Sequence, residues 1–295
     1  MAAAGAFFTM FGRQKSGSVV CASCGRLVGV RDEVCLNCGR RNPALWGYSP
    51  LLRRLGADLG FTKLLIGGCV ALYAASLLLT PGAFEPRGLL SLLAPRWEAL
   101  FLLGAAGPIP VFGLGHWWTL LSAGWLHGGL LHIFFNLMWV RQLAPPVAEL
   151  YGAGRMVLIW TAGSILGFLA SSAAGAFLPA LPLIGSRAGF TVGASASIFG
   201  LLGALLVYGR RSGHSALRQQ VWGWTVAGLL FGFVVPGIDN WAHLGGLAGG
   251  ASVARALDPL RPERVDHVVG ALACLAATLA AIVASVVVGL AMGQG

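Results

Sequence analysis

The stretch W-L-H-G-G-L-L-H-I-F-F-N-L-M-W-V, residues 125–140, decides how the rest of the chain is read. It is apolar enough to belong to a membrane span, yet it carries His127, His132 and Asn136. Such side chains are costly in hydrocarbon, and where they occur they face a bundle interior or a water-filled cavity. His132 and Asn136 are four residues apart and share one face of a helix, while His127 is offset from them. A span of this kind needs other spans around it, and polar partners on them.

The composition supplies the spans. Of 295 residues, 57% are hydrophobic and only 10% charged, and the mean hydropathy is +0.78, far from an average soluble domain. A hydrocarbon core of about 30 Å takes roughly 17 to 25 apolar residues per helix. Seven stretches qualify: Lys63–Thr80, Trp125–Leu143, Met156–Phe177, Gly189–Tyr208, Val221–Val235, Asn240–Ala256 and Val268–Met292. The fold class expected is an all-α polytopic membrane protein.

A net charge of +10 would raise the question of nucleic acid in a soluble protein. Here its distribution points elsewhere. Seventeen of the twenty Lys/Arg precede or open the first span or fall in alternate loops, and only Arg87, Arg96 and Arg187 fall in the others. By the positive-inside rule the N-terminus is cytoplasmic and, with seven spans, the C-terminus extracytoplasmic. The basic clusters suit contact with anionic lipid head groups, and no nucleic acid is expected. The first twenty residues show no clear cleavage site, so the first span is expected to serve as the insertion signal. A bacterial cytoplasmic membrane suits this topology and the high Ala, Gly and Arg usage.

Ahead of the spans, residues 20–42 read V-C-A-S-C-G-R-L-V-G-V-R-D-E-V-C-L-N-C-G-R-R-N. Cys21, Cys24, Cys35 and Cys38 form two C-x-x-C-G knuckles ten residues apart, a spacing that closes tetrahedrally around zinc. In a reducing cytoplasm disulfides are disfavoured, so structural zinc is the leading reading and a dithiol redox module the alternative. So small a module holds no core without its metal. It offers no catalytic group of its own, so a binding or regulatory role toward an unidentified partner is expected. Residues 1–19 read as a tail and 43–62 as a linker. Cys69 and Cys274, alone in separate spans, read as small buried hydrophobes.

Two further stretches carry polar groups inside spans: T-V-G-A-S-A-S-I-F-G, residues 191–200, with Ser195, and D-N-W-A-H-L-G-G-L-A-G-G, residues 239–250, with His243. The second, fourth and sixth spans run in the same direction, and Ser195 and His243 each lie near the outer end of their span. Small residues at Gly193, Ala196, Gly200 and Gly203, and at Ala242, Gly246 and Gly250, permit close approach of the two helices. That approach would bring the Ser195 hydroxyl within hydrogen-bond reach of the His243 imidazole.

The chemistry this pattern suits is acyl transfer. His243 takes the Ser195 proton, and His132, Asn136 and the Ser195 backbone N–H donate to the oxyanion. Asp239 lies four residues from His243 toward the outer end, which favours a Ser-His dyad over a triad. Against this stands the bland reading of each residue alone, with Ser195 as a packing serine. His127 reads as a polar neighbour holding water or a loop. Trp117, Trp118 and Trp125 read as interface anchors, and His116, His214 and His267 as solvated residues.

H-W-W-T-L-L-S-A-G-W-L-H-G-G-L-L-H-I-F-F-N (116–136), G-A-S-A-S-I-F-G-L-L-G-A (193–204) and the 239–250 stretch together resemble the rhomboid intramembrane serine proteases. The resemblance covers Lys63 to Ala256. It implies a six-helix core over residues 63–256, with residues 257–295 as a linker and an extra seventh transmembrane helix. It implies Ser195 as nucleophile, His243 as general base, His132 and Asn136 as oxyanion stabilisers, and no cofactor for catalysis. The implied substrates are transmembrane segments of membrane proteins, admitted laterally and cut near the extracytoplasmic face. Two departures stand out. Ala196 follows the serine where the family has glycine, and Trp118-Thr119 stands where the family has Trp-Arg. The competing readings are a catalytically inactive member that binds membrane proteins and a small-solute transporter. The latter is disfavoured because the polar residues stop in the outer half of the spans.

Overall fold

The computed structural model describes residues 13–50, 56–83, 93–179, 189–235 and 237–292. Residues 1–12 of the tail, 51–55 of the linker with Arg53 and Arg54, and Arg87 and Arg187 lie outside the described residues.

Among the described residues, seven long helices answer the seven apolar stretches: α1 (Phe61–Leu78), and after two short helices α2 (Trp97–Leu102) and α3 (Thr119–Ser122), α4 (Leu130–Tyr151), α5 (Ala153–Phe177), α6 (Ser195–Arg211), α7 (Ser215–Val234), α8 (Asn240–Ala256) and α9 (Val265–Met292). Three of them, α1, α5 and α9, are each long and apolar enough to cross a membrane. A fourth candidate is the pair Thr119–Trp125 and α4, which pass together and meet at 95°. The helices α6 and α8 are 17 residues each and rich in glycine, so length and composition alone do not mark them. The chain is a multi-pass membrane protein.

Helix boundaries differ from the sequence expectation in informative places. The second stretch is not one span from Trp125. Ala123–Trp125 is a 3₁₀ turn, Leu126–Gly129 breaks the chain direction, and α4 starts at Leu130. It then runs past Leu143 through Pro145 and Pro146 to Tyr151. A proline inside a helix costs about 3 kcal/mol. Burial of Leu143, Ala144, Val147, Ala148 and Tyr151 along that turn offsets it. The fourth stretch begins extended: Thr191 pairs with Ala106, and the helix starts only at Ser195.

Close packing centres on α8. A Cβ on Gly250 would land on the backbone of Gly200, and one on Gly246 on the carbonyl oxygen of Ala196. With Gly203 set against Leu247 and Ala251, the contacts climb both chains together, so α6 and α8 are parallel neighbours. On the other flank Gly245 sits against Leu166 and Ala170, and Gly249 against Ala162, so α5 runs antiparallel to α8. Small residues bring backbones together where lipid offers no hydrophobic drive for association.

Two polar ties hold α9 to this bundle. Trp118 Nε1 donates to Ser285 Oγ at 2.9 Å. Arg155, expected in a loop, is instead 3% exposed in the first turn of α5. Its guanidinium donates to the carbonyl oxygens of Tyr151, Asp258, Arg261 and Pro262 and to His267 Nδ1. His267 is therefore a bonded residue and not a solvated one. Trp125, expected at an interface, is 7% exposed and packs against Gly68 of α1.

In the front module, β1 (Ser18–Val20) pairs antiparallel with β2 (Leu27–Gly29), Val19 opposite Val28. Its core is Val19, Cys21, Val28, Cys35 and Ala44.

Candidate active site and cysteine cluster

Ser195, His243, His132 and Asn136 all line one cavity of about 810 Å³. Each lies in the first two turns of its helix: Ser195 opens α6, His132 and Asn136 sit in α4, and His243 is one turn into α8. The parallel run of α6 and α8 is what places these turns at one end of the bundle.

His243 is 5% exposed and stacks on Phe199, ring centroids 4.1 Å apart at 9°. Phe199 is four residues after Ser195, so the ring that holds the imidazole projects from the serine's own helix face. His243 Nδ1 is buried without a hydrogen-bond partner among the described residues. The hydrogen bonds of the described residues include none between Ser195 and His243; the two side chains share the cavity wall. Asp239 does not reach the imidazole. It is the N-cap of α8, accepting from Ala242 N at 3.0 Å.

His132 is oriented from below. Gly128 N donates to its Nδ1 at 3.3 Å, which leaves the proton on Nε2. That nitrogen faces Gly193: a Cβ there would lie 2.7 Å from His132 Nε2 and 3.7 Å from Ser195 Oγ. The left-handed φ of +134° at Gly193 and this proximity both require glycine. Asn136 Nδ2 donates to His132 O at 2.9 Å, which uses one of its two protons. His127 is fully buried, with both ring nitrogens unpartnered among the described residues and its ring 5.2 Å from that of His132.

Among the described residues, helix α6 has no side-chain cap. Its first N–H groups, Ser195 among them, are the positive end of the helix dipole and point where negative charge is favoured. Ala196 turns its methyl away from the cavity. It is fully buried, and Gly167 of α5 stands directly against it. The extra methyl where the family pattern has glycine is thus accommodated by a missing one across the interface. Likewise Trp118 is fixed without an adjacent arginine: its indole bonds Ser285 and stacks on His116 at 4.7 Å.

Sequence reading missed the partners of Asp239: Thr191 Oγ1 donates to its Oδ2 at 2.8 Å, and Ser171 Oγ donates to the same oxygen. A caps signal was available, since an aspartate immediately before an apolar helix is a preferred N-cap. Nothing in the sequence marks Ser171. Phe199 and Gly167 were equally silent, because a stacking ring and a small residue look like ordinary core.

The sulfurs of Cys21, Cys24, Cys35 and Cys38 all lie within 4.8 Å of one another. Cys21 to Cys38 is 3.8 Å and Cys24 to Cys35 is 3.7 Å. Four ligands at about 2.3 Å from a tetrahedral zinc would stand about 3.8 Å apart, so the cluster fits such an ion. Burial pushes the Cys38 thiol up to about 12. For Cys24 burial is outweighed by donation from the Arg26 backbone and Asn37, which holds that thiol down at about 6. A shared set of thiols with one already acidic is a ready metal ligand.

Comparison with known proteins matches the Rhomboid domain model to residues 114–259, the span that contains every cavity residue named above. The Rhomboid protease GluP of Bacillus subtilis is 37% identical over 146 residues, 48% of this chain and 26% of GluP. RHOMBOID-like protein 1 of Arabidopsis thaliana is 30% identical over 176 residues, 57% of this chain and 41% of that protein. The Putative rhomboid protease YdcA of Bacillus subtilis is 31% identical over 144 residues, 46% of this chain and 65% of YdcA. The matches thus span about a quarter to two thirds of these relatives' own lengths. The chain carries a rhomboid domain at residues 114–259.

Proposed function

We propose that this chain is an intramembrane serine endopeptidase that cuts transmembrane segments of other membrane proteins. The observation that carries this reading is the convergence of Ser195, His243, His132 and Asn136, from three helices, on one cavity. In the proposed reaction Ser195 Oγ attacks the scissile carbonyl carbon while its proton passes to His243. The tetrahedral oxyanion is met by His132 Nε2–H, the free Asn136 amide proton and the uncapped N–H groups of α6. Collapse breaks the C–N bond, and His243 returns the proton to the leaving amine. Water then attacks the acyl ester with His243 again as base, releasing the carboxylic acid and restoring Ser195 Oγ–H. Two donors and a helix terminus at one oxyanion are worth several kcal/mol in a low-dielectric site.

The proposed topology follows the charge rule: cytoplasmic front module, cavity opening toward the extracytoplasmic face, extracytoplasmic C-terminus, in a bacterial cell membrane. The proposed domain division is 20–42, 63–256 and 257–295. Cys21, Cys24, Cys35 and Cys38 are proposed to hold a structural zinc. Measured on reduced full-length protein, the metal content should be about one zinc per chain, and a value near zero removes that assignment.

The enzymatic reading is tested by reconstituting the full chain with a labelled helical membrane substrate and comparing it with Ser195→Ala. The substitution should lower cleavage by about 10³-fold or more while leaving the thermal midpoint unchanged. Cleavage that survives it overturns the mechanism. Absence of cleavage across a substrate panel by a well-folded wild type would instead favour an inactive member that binds membrane proteins.

A further inference from the structure

Asp239 stands at a meeting of three segments that the reaction proposed above does not use. Its Oδ1 accepts from Ala242 N at 3.0 Å and closes the first turn of α8. Its Oδ2 accepts from Thr191 Oγ1 at 2.8 Å and from Ser171 Oγ of α5. It lies four residues before His243, and His243 N donates to Asp239 O at 3.1 Å. Thr191 in turn lies four residues before Ser195, in the extended approach to α6. That approach is fixed on its other side by the backbone: Thr191 N donates to Ala106 O at 2.8 Å, and Gly193 N donates to Ala123 O at 3.0 Å. One carboxylate therefore binds the segment leading to Ser195, the turn leading to His243, and the helix between them.

We propose that Asp239 is a positioning residue for the dyad, setting the distance between Ser195 and His243 by clamping Thr191 and Ser171 to the N-terminus of α8. The inference rests on the serine-protease reading given above. Its physical basis is the steep dependence of catalysis on placement, where about 1 Å of displacement costs roughly 10²-fold. The sulfur- and metal-free chemistry of the clamp is hydrogen bonding alone, so it has a conservative replacement. In Asp239→Asn the amide oxygen can still accept from Ala242 N. The amide NH₂ can donate to the two hydroxyls, which rotate to accept. Asp239→Ala can do neither.

The test uses the full chain in detergent micelles and a fluorophosphonate bearing a fluorescent reporter, which needs no knowledge of the natural substrate. Ser195 Oγ forms a bond to phosphorus, the P–F bond breaks, fluoride leaves, and the hydroxyl proton passes through His243 to water. The limiting labelling rate and the half-saturating probe concentration are measured for wild type, Ser195→Ala, Asp239→Ala, Asp239→Asn and Thr191→Val, with a thermal midpoint for each. Asp239→Ala should lower the limiting rate by about 30-fold or more and leave half-saturation within about 3-fold. Asp239→Asn should stay within about 5-fold of wild type, and Thr191→Val should fall between them. An Asp239→Ala rate equal to wild type removes the clamp and leaves the protease reading intact. An Asn variant as slow as the Ala variant also overturns it, because charge and not the hydrogen-bonded geometry would then be what matters. If Asp239→Ala does not fold, Thr191→Val decides: an unchanged rate overturns the clamp. A folded wild type that labels no better than Ser195→Ala removes the protease reading, and the clamp with it.

Discussion

Helices α8 and α7 both adjoin the helix that begins at Ser195, and they are attached in opposite ways. In α8 Asn240, Ala242, His243, Gly246, Gly249, Gly250 and Ala254 are buried, and its glycines let α5 and α6 close on it backbone to backbone. In α7 only Val221 and Thr225 are buried, while Trp222, Leu230, Phe231, Phe233 and Val234 are exposed. Its main polar tie is Asn240 Nδ2 donating to Leu229 O at 3.2 Å. Yet Trp224 and Phe231 of α7 line the same cavity as Ser195 and His243. The groups proposed to react thus stand on the closely packed pair, and the opposite wall stands on the loosely held helix. A site needs its constellation fixed more tightly than the surface that receives a substrate.

The contrast can be broken most forcefully at Gly250. Gly250→Val puts a branched side chain into the Gly200 backbone, and the chain should lose on the order of 4 kcal/mol or more, read as a collapse of the thermal midpoint or loss of folded protein. A stable Gly250→Val protein would mean that α6 and α8 are not in backbone contact. At the other extreme, Phe231→Ala on α7 should move stability by less than about 0.5 kcal/mol, since the side chain is 55% exposed. What it should change is the half-saturating concentration for a helical membrane substrate, measured beside its limiting rate. A large stability loss there would show that α7 is packed as tightly as α8.

Much of this was legible beforehand because it is written in long-range periodicity and in residue type. Seven apolar stretches became seven helices, and Ser195, His243, His132 and Asn136 lie on one cavity. The ends of elements were less legible. Pro145 and Pro146 signal a stop, and burial of the surrounding turn overrides it. Gly189–Ala194 is as apolar as a helix, but its backbone is drawn into a bridge with Ala106, a partner far away in sequence. Arg155 was misplaced for a related reason: a charge reads as solvated unless the carbonyls that will surround it are known. Ala196 presented a doubt that no reading of its own segment could settle, because Gly167 answers it from another helix.

The guanidinium of Arg155 has a consequence for how much of this chain can stand alone. Three of its five acceptors are the Asp258, Arg261 and Pro262 carbonyls, and a fourth is His267, all beyond the end of α8. A chain shortened to residue 256 would keep the cation and lose most of what solvates it. A charge left buried without its partners costs up to about 3 to 5 kcal/mol, reduced by the water that enters where the segment was. The terminal helix is therefore not an appendage that truncation removes cleanly. In this protein its connecting segment is the inner lining of the bundle's other end, and the minimal folding unit extends past the last residue that touches the cavity.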